Sequence, residues 1–348
     1  MPNAHSKNQP PILEVNNLSK HFPVKRSGWF KPQSLLHAVD GVSLSIQPGE
    51  TLGIVGESGC GKSTLAKTIA RLYESTSGDI LFKGENITHM NQKTLRAIRP
   101  KIQYVFQDPY ESLNPRHTVS TILEEPFVIH TQLSRQERQE KVLALLQRVG
   151  LPSSALNKYP HEFSGGQRQR IGIARAIALE PELLICDEPV SALDVSVQSQ
   201  IINLLLDLQR EMGLAILFIA HDLAVVKHVS DRIAVMYLGQ IVELADGQDL
   251  YNRPHHPYTQ FLMDAIPSID LTRKRTRKRL QGELPSPINP PEGCRFYTRC
   301  PLAQPNCQTT TPELAVSDQG SHPAACWRTE TSLATWEESW DSLKENAP

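Results

Sequence analysis

Two hydrophobic periods alternate along most of the chain and predict strands interleaved with helices. Short, almost continuously apolar runs are typical of strands buried on both faces of a sheet, and they occur at 51–55, 183–186 and 215–219. Longer segments with apolar residues at helical spacing separate these runs, at 62–72, 135–149, 167–179 and 195–212. Near the N-terminus, period-two alternation predicts strands at 12–15 and 38–46. The pattern indicates an α/β fold with a mostly parallel sheet covered by helices on both faces.

The regular alternation ends near residue 266, and we predict a domain boundary there. Within the first domain, 1–266, a polar and proline-punctuated stretch at about 109–180 is interpreted as an inserted helical lobe. A basic run at 273–279 follows and is interpreted as a solvated linker, with a nucleic-acid or anionic-lipid patch as the alternative. A region rich in proline and cysteine, 267–328, is predicted to form a small second domain, and 329–348 a peripheral tail.

Composition and charge narrow the classes of partner. The 348 residues carry 36 Lys plus Arg against 37 Asp plus Glu, so the net charge of -1 gives no general attraction for nucleic acid. No uncharged apolar stretch approaches the roughly 18 residues that cross a bilayer, and the polar first residues lack the apolar core of a secretory signal. We therefore expect a cytosolic location and no nucleic-acid partner.

A glycine-rich segment between the strand at 51–55 and the helix at 62–72 fits the phosphate-loop pattern. Backbone N–H groups of such a loop wrap a triphosphate, and the helix that follows presents its positive N-terminus. Lys62 is expected to reach the β and γ phosphates and Ser63 to ligate Mg²⁺. A chance match is the alternative, and the flanking strand and helix count against it. The predicted nucleotide-binding residues of the loop are Gly56, Glu57, Ser58, Gly59, Cys60, Gly61, Lys62, Ser63 and Thr64.

Two carboxylates end the apolar run at 183–186, where chains of this fold class place ligand-binding groups. Asp187 suits the Mg²⁺ shell, and Glu188 suits a base that polarises the attacking water. Taken alone, both could be solvated turn residues. Cys186 is interpreted as a core residue. Cys60, in the loop, is interpreted as a small filler rather than a nucleophile, with a thiol that is still open to alkylation.

A serine and two glycines precede the predicted helix at 167–179. The segment Ser164, Gly165, Gly166 and Gln167 gives a second helix N-terminus that can bind an anion. An ordinary helix cap is the alternative.

Taken together, the order of these motifs resembles the ABC ATPase family, over about residues 12–266. The ordered features are the phosphate loop, Gln107 at the end of an apolar strand, Ser164–Gln167, Asp187–Glu188, Ser191–Asp194, and His221 after the last buried strand. The resemblance implies that two such domains sandwich two nucleotides.

In such a sandwich, the resemblance implies that one domain completes the site of the other. Ser164 and Gly166 would contact the γ-phosphate held by the partner's phosphate loop, and Asp194 would couple the two sites. Gln107 would sense Mg²⁺ and the membrane subunit, and His221 would hold the γ-phosphate and orient the water. Phe22 lies where the family stacks a ring on adenine, with His21 as the competing candidate.

Three further segments, at 107–116, 256–260 and 282–287, narrow the resemblance to the dipeptide and oligopeptide importer branch, closest to its F-type dipeptide subunits. This branch implies an ATP-hydrolysing subunit that powers peptide import. Its partners would be a paralogous ATPase subunit, two multi-span permease subunits and, indirectly, a peptide-binding protein. The chain would lie peripherally on the cytoplasmic face of the cell (inner) membrane. Nickel or glutathione transport and a non-transport ABC ATPase are the alternatives.

Four cysteines, Cys294, Cys300, Cys307 and Cys326, lie in the proline-rich region with five, six and eighteen residues between them. A small region with little apolar core needs a cross-link, and in a reducing compartment a metal is a better cross-link than disulfides. Four thiolates suit either Zn²⁺ or an iron–sulfur cluster. The family resemblance favours [4Fe–4S], and unligated cysteines or an occasional disulfide are the remaining alternative.

Overall fold

The computed structural model describes residues 9–24, 34–108, 112–265, 283–316 and 321–327. The strands are β1 (Leu13–Pro23), β2 (Leu35–Ile46), β3 (Thr51–Val55), β4 (Ser77–Phe82), β5 (Glu85–Asn86), β6 (Ile102–Val105), β7 (Leu183–Asp187), β8 (Ala215–Ile219), β9 (Arg232–Tyr237) and β10 (Gln240–Asp246). The helices are α1 (Lys62–Ile69), α2 (Gln92–Ile98), α3 (Val119–His130), α4 (Arg135–Arg148), α5 (Gly165–Ile177), α6 (Val195–Met212), α7 (Leu223–Val229), α8 (Gly247–Asn252), α9 (Pro257–Asp264) and α10 (Asn306–Thr309). The predicted linker at 273–279 and the predicted tail at 329–348 lie outside the described residues.

The described residues fall into two compact units. Unit one is drawn from residues 9–14, 45–51, 80–108 and 112–220. Unit two is drawn from residues 15–24, 34–44, 52–79, 221–265, 283–316 and 321–327.

Unit one contains three parallel strands in the order β8-β7-β6. Cys186 on β7 lies opposite Val105 on β6 and Phe218 on β8. Every residue of β7 and β8 is buried, as the continuous apolar runs predict for strands covered on both faces. Three helices, α3, α4 and α5, pack on one another in the region predicted as a helical lobe, and α5 also packs on β6 and α6.

Unit two contains the strand order β10-β9-β3. β3 pairs with β9 in parallel, from Leu52 opposite Arg232 to Val55 opposite Val235. β9 and β10 are antiparallel, with an irregularity between Ile241 and Glu243. Segment 321–327 extends the edge of β10, because the N–H of Leu244 donates to Pro323 at 3.1 Å and the N–H of Ala325 donates to Val242 at 2.8 Å.

In unit one β4 pairs with β5 antiparallel, with Leu81 opposite Asn86 and Phe82 opposite Glu85. The alternation predicted only residues 12–15 of β1, which runs to Pro23. Two consecutive exposed polar residues, Asn16 and Asn17, break the period-two alternation after Val15, and Asn17 has a left-handed backbone at φ 47°. The helix α3 was also missed, because Pro126 lies inside it and breaks the sequence signal. The predicted α/β fold with a mostly parallel sheet is confirmed.

Candidate functional site

The phosphate loop belongs to unit two and connects β3 to the first turn of α1. Gly61 precedes the helix at φ 108°, and a Cβ at this position would lie 2.0 Å from the carbonyl oxygen of Ala38, so only glycine fits. Lys62 is 4% exposed and donates from Nζ to the carbonyl oxygens of Gly56 at 2.8 Å and Glu57 at 3.1 Å. The ammonium group is therefore held inside the loop at a helix N-terminus, an arrangement that attracts phosphate.

Two residues distant in sequence hold the second residue of the loop. The N–H of Glu57 donates to Oη of Tyr258 at 2.8 Å. The Glu57 carboxylate accepts from both terminal nitrogens of Arg299, at 2.8 and 3.1 Å. This hydrogen bond is the largest cause of a raised pKa of Arg299. Sequence reasoning noticed the segment 256–260 without assigning Tyr258 a role, and it missed Arg299.

The orientation of Tyr258 follows from the start of α9. His256 caps this helix, because its Nδ1 accepts from the N–H of Tyr258 at 3.1 Å, and Pro257 occupies the first helical position. Burial lowers the pKa of His256 to about 4. The imidazole is therefore neutral near pH 7 and has a lone pair for the cap.

The carboxylate pair belongs to unit one. Asp187 is 2% exposed and accepts a hydrogen bond from Oη of Tyr104 at 2.7 Å. Glu188 has a left-handed backbone at φ 47°, and its carboxylate accepts from Nε2 of Gln107 at 2.9 Å. A left-handed conformation costs a residue with a Cβ about 1–2 kcal/mol, and such strain clusters at functional sites. The structure thus brings Gln107 and Glu188 together and adds Tyr104, which sequence reasoning missed.

The turn Ser164–Gln167 begins α5 in unit one. Oγ of Ser164 accepts from the N–H of Gln167 at 3.3 Å, and Oε1 of Gln167 accepts from the N–H of Ser164 at 3.0 Å. This is a capping box. Gly166 is buried, and a Cβ there would lie 2.3 Å from Cγ1 of Val197, so glycine lets α5 approach α6 closely.

The remaining nucleotide candidates are partly or fully exposed. Asp194 is the exposed N-cap of α6 in unit one, beside Val195, which is 79% exposed. In unit two, His221 is exposed just before α7. Phe22 is half-buried with its ring edge against Tyr73, 5.6 Å between centroids. His21, the competing adenine candidate, is hydrogen-bonded through Nε2 to Asp40 at 3.2 Å.

The four C-terminal cysteines line one cavity in unit two, together with Phe296, Leu302 and Trp327. The N–H of Cys294 donates to the carbonyl oxygen of Cys307 at 2.8 Å. Burial raises the pKa of Cys294, and it raises that of Cys300 to about 12. In the part of the chain that the structure describes, no three of the four sulfurs lie within 4.8 Å of one another. Cys186 is buried, as predicted, and Cys60 is 1% exposed, so its thiol is enclosed and not open to alkylation in the folded chain.

Comparison with family models gives two matches. The model described as ABC transporter matches residues 39–191. The model described as the C-terminal region of oligopeptide/dipeptide transporters matches residues 242–307. None of the helices in the described ranges is long and apolar enough to cross a membrane.

Full-length relatives and solved structures agree with these matches. The oligopeptide transport ATP-binding protein AppF of Bacillus subtilis is 56% identical over 92% of this chain and 98% of its own. The oligopeptide transport ATP-binding protein OppF of Escherichia coli is 54% identical over 93% of this chain and 98% of its own. DppF of Escherichia coli, a dipeptide transport ATP-binding protein, is 48% identical over 92% and 95%. The ATP-binding cassette MJ0796, solved as a dimer with ADP and Pi, has 30% identity and a TM-score of 0.61, covering 67% of this chain and 98% of its own.

The predicted resemblance is confirmed, and these oligopeptide relatives share more identity with the chain than the dipeptide one. The chain belongs to the ABC transporter family, in the branch of the oligopeptide and dipeptide transport ATP-binding proteins.

Proposed function

We propose that this chain hydrolyses ATP to power the import of oligopeptides or dipeptides through separate membrane subunits. One observation carries the proposal. The chain has a phosphate loop with an enclosed lysine and a strand-end carboxylate pair, and it matches peptide-transport ATP-binding proteins over nearly their whole length.

The roles of the side chains follow from their chemistry. Lys62 binds the β and γ phosphates, Ser63 and Asp187 ligate Mg²⁺, and Glu188 polarises the attacking water. The hydroxyl and carboxylate oxygens suit Mg²⁺, which prefers oxygen ligands. The remaining proposed residues are Gln107 beside Glu188, His221 near the γ-phosphate, Phe22 on the adenine, the other loop residues 56–64, and Ser164, Gly165, Gly166, Gln167 and Asp194 facing a partner's nucleotide.

Replacing Glu188 by glutamine tests the catalytic role. We expect turnover in the assembled transporter to fall by about 10²–10⁴-fold, the usual contribution of a general base. ATP binding persists, because Lys62 and the Mg²⁺ ligands remain. Lys62→Ala is the matched control, which is expected to lose binding as well. Near-normal hydrolysis by Glu188→Gln would refute the assignment of Glu188.

The proposed partners are a paralogous ATPase subunit, two multi-span permease subunits and, indirectly, a peptide-binding protein. Support for these partners comes from the match to oligopeptide and dipeptide transport ATP-binding proteins over nearly their whole length. The chain would lie at the cytoplasmic face of the inner membrane.

The isolated chain is expected to hydrolyse ATP slowly, because its site would lack the partner's turn. Ser164→Ala is expected to impair hydrolysis in the complex, with little effect on the nucleotide affinity of the isolated chain. Equal turnover by the isolated chain and the complex would exclude a shared site.

The C-terminal region 267–328 is proposed to hold a [4Fe–4S] cluster through Cys294, Cys300, Cys307 and Cys326. All four cysteines line one cavity. Around one zinc ion with Zn–S bonds of about 2.3 Å, tetrahedral sulfurs would lie about 3.8 Å apart. In the described residues no three of the four sulfurs lie within 4.8 Å of one another, so the choice of [4Fe–4S] over Zn²⁺ rests on the family resemblance alone. The cluster would act as a structural cross-link.

Metal analysis of anaerobically purified chain tests this centre. We expect roughly four irons per chain and a broad absorption band near about 400 nm. A colourless chain that contains one zinc would show that the four cysteines bind Zn²⁺ and not the cluster. Finding no metal, together with unchanged stability of a Cys300→Ser, Cys307→Ser double variant, would reject both.

A further inference from the structure

The phosphate loop carries a negative charge beside the place where it would bind a more negative ligand. Glu57 directly follows Gly56, whose carbonyl oxygen accepts from Lys62. A carboxylate close to a triphosphate opposes binding, and in a partly buried site this repulsion is only weakly screened. The loop therefore needs a partner that neutralises Glu57 and holds its side chain.

Arg299 is that partner. Its guanidinium is 7% exposed and the Glu57 side chain 28%, and the two form a bidentate ion pair at 2.8 and 3.1 Å. Bidentate arginine–carboxylate pairs fix geometry as well as charge. Arg299 also donates to Oη of Tyr237 at 3.3 Å, and Tyr258 accepts the N–H of Glu57. Both the side chain and the backbone of Glu57 are therefore held by residues that follow it by 180 positions or more.

The position of Arg299 depends in turn on the cysteines. It ends the short turn Tyr297–Arg299, which lies between Cys294 and Cys300. The N–H of Tyr297 donates to the carbonyl oxygen of Cys294 at 3.0 Å, and the N–H of Cys300 donates to that of Tyr297 at 3.3 Å. Any shift of these two cysteines therefore moves the turn that carries Arg299.

A second contact ties the same region to the back of the loop. Arg295, 6% exposed, donates to the carbonyl oxygen of Leu238 and pairs with Asp40. Gly239, which follows Leu238, donates its N–H to the carbonyl oxygen of Cys60 at 2.8 Å. The cysteine-containing region thus reaches the loop at two points.

We propose that the Arg299–Glu57 ion pair sets the affinity of the phosphate loop for ATP, and that the four-cysteine centre acts on the loop through this pair. The second half rests on the cysteine centre of the proposed function, whereas the first half depends only on ATP binding. Arg299 is a positioning residue: it acts on the nucleotide through Glu57.

Titration of the full-length chain with a fluorescent ATP analogue in the presence of Mg²⁺ tests the ion pair. Arg299→Met leaves the Glu57 charge uncompensated, and we expect affinity to fall about tenfold, with a smaller loss at high salt. The double variant Glu57→Gln, Arg299→Met removes both charges and is expected to recover to within about threefold of the native chain. Arg299→Lys keeps the charge and is expected to lose less than Arg299→Met.

The control is Arg253→Met, which removes the same charge from an exposed position in the same unit and is expected to bind ATP as the native chain does. A merely structural Arg299 would leave the double variant as weak as Arg299→Met. That result, or native affinity in Arg299→Met, would overturn the first half. If the native chain itself bound no ATP, the proposed function would fail instead.

The second half is tested with Cys307→Ser, chosen because Cys307 lies outside the Arg299 turn. In the native background this variant is expected to lose metal and to bind ATP more weakly. In the Glu57→Gln, Arg299→Met background it is expected to cause no further loss, because the pair that transmits the effect is absent. Equal losses in both backgrounds, unchanged affinity in the native background, or a native chain without metal would overturn the link to the cysteines.

Discussion

Replacing His322 tests how the C-terminal segment is held on the sheet. Glu243 is fully buried, and its carboxylate accepts from the N–H groups of His255 at 2.7 Å and His256 at 2.9 Å and from Nε2 of His322 at 2.6 Å. His322 also stacks on His255, with ring centroids 4.0 Å apart. Of these three donors, His322 is the one that belongs to segment 321–327. We therefore expect His322→Ala to loosen this segment from β10.

The expected magnitude follows from the remaining contacts. A hydrogen bond to a charged group contributes about 1.5–3 kcal/mol, and Glu243 cannot regain it from water while it is buried. Two backbone donors stay in place, so the loss should remain within this range rather than reach the cost of an isolated buried charge. This corresponds to a roughly 10- to 100-fold increase in local opening.

Amide hydrogen exchange measures this opening at two backbone groups, the N–H of Ala325 bound to Val242 and the N–H of Leu244 bound to Pro323. We expect both to exchange roughly 10- to 100-fold faster in His322→Ala. His322→Phe keeps a flat ring without the donor and should behave like His322→Ala, whereas His322→Gln keeps a donor and should lose less. Native exchange rates in His322→Phe, or equal losses in His322→Gln and His322→Phe, would refute the role of the hydrogen bond.

Three further predictions concern the loop, the carboxylates and the buried thiols. Gly61→Ala is expected to abolish nucleotide binding in the ATP-analogue titration, because its Cβ would lie 2.0 Å from a backbone oxygen. Gly59→Ala is the control: nothing lies within 4 Å of its Cβ, and it should retain at least part of the binding. Tyr104→Phe removes the hydroxyl donor to Asp187 and should shift the Mg²⁺ dependence of ATP turnover by about threefold to tenfold; an unchanged Mg²⁺ titration would contradict this. Burial raises the pKa of Cys60 and Cys186, so neither should form thiolate at pH 8, and iodoacetamide followed by mass spectrometry should label them only after unfolding.

The elements that the sequence predicted best are those with a continuous apolar run or a regular helical spacing of apolar residues. Strands 51–55 and 215–219 and the helix 195–212 have the bounds that the apolar pattern predicts. In these segments the residues nearest in sequence decide the structure, because continuous apolar runs and helical spacing record burial directly. The half-exposed strand β1 and the proline-containing helix α3 carry mixed patterns, and they were incomplete or missed.

Motifs predicted the chemistry of the nucleotide site but not the residues that hold it. Tyr258 and Arg299 follow Glu57 by 201 and 242 positions, and no local pattern connects residues so far apart. Tyr104 and Asp187 lie on neighbouring strands whose register is set by the sheet. Such pairs depend on tertiary packing, so a single sequence shows the residues but does not predict which of them pair.

Polar contacts join the C-terminal region to the phosphate loop because this region has little apolar surface to bury. Among the described residues after 282, the buried hydrophobic side chains are Phe296, Leu302, Ala324 and Ala325. At about 25 cal/mol per Å² of buried apolar surface, so few side chains cannot offset the entropy of ordering the region. Arg295, Arg299 and His322 supply further attachment, and each bonds to a group of unit two outside the region. Because one of these groups is the Glu57 carboxylate, the contacts that order this region also fix the conformation of the nucleotide loop.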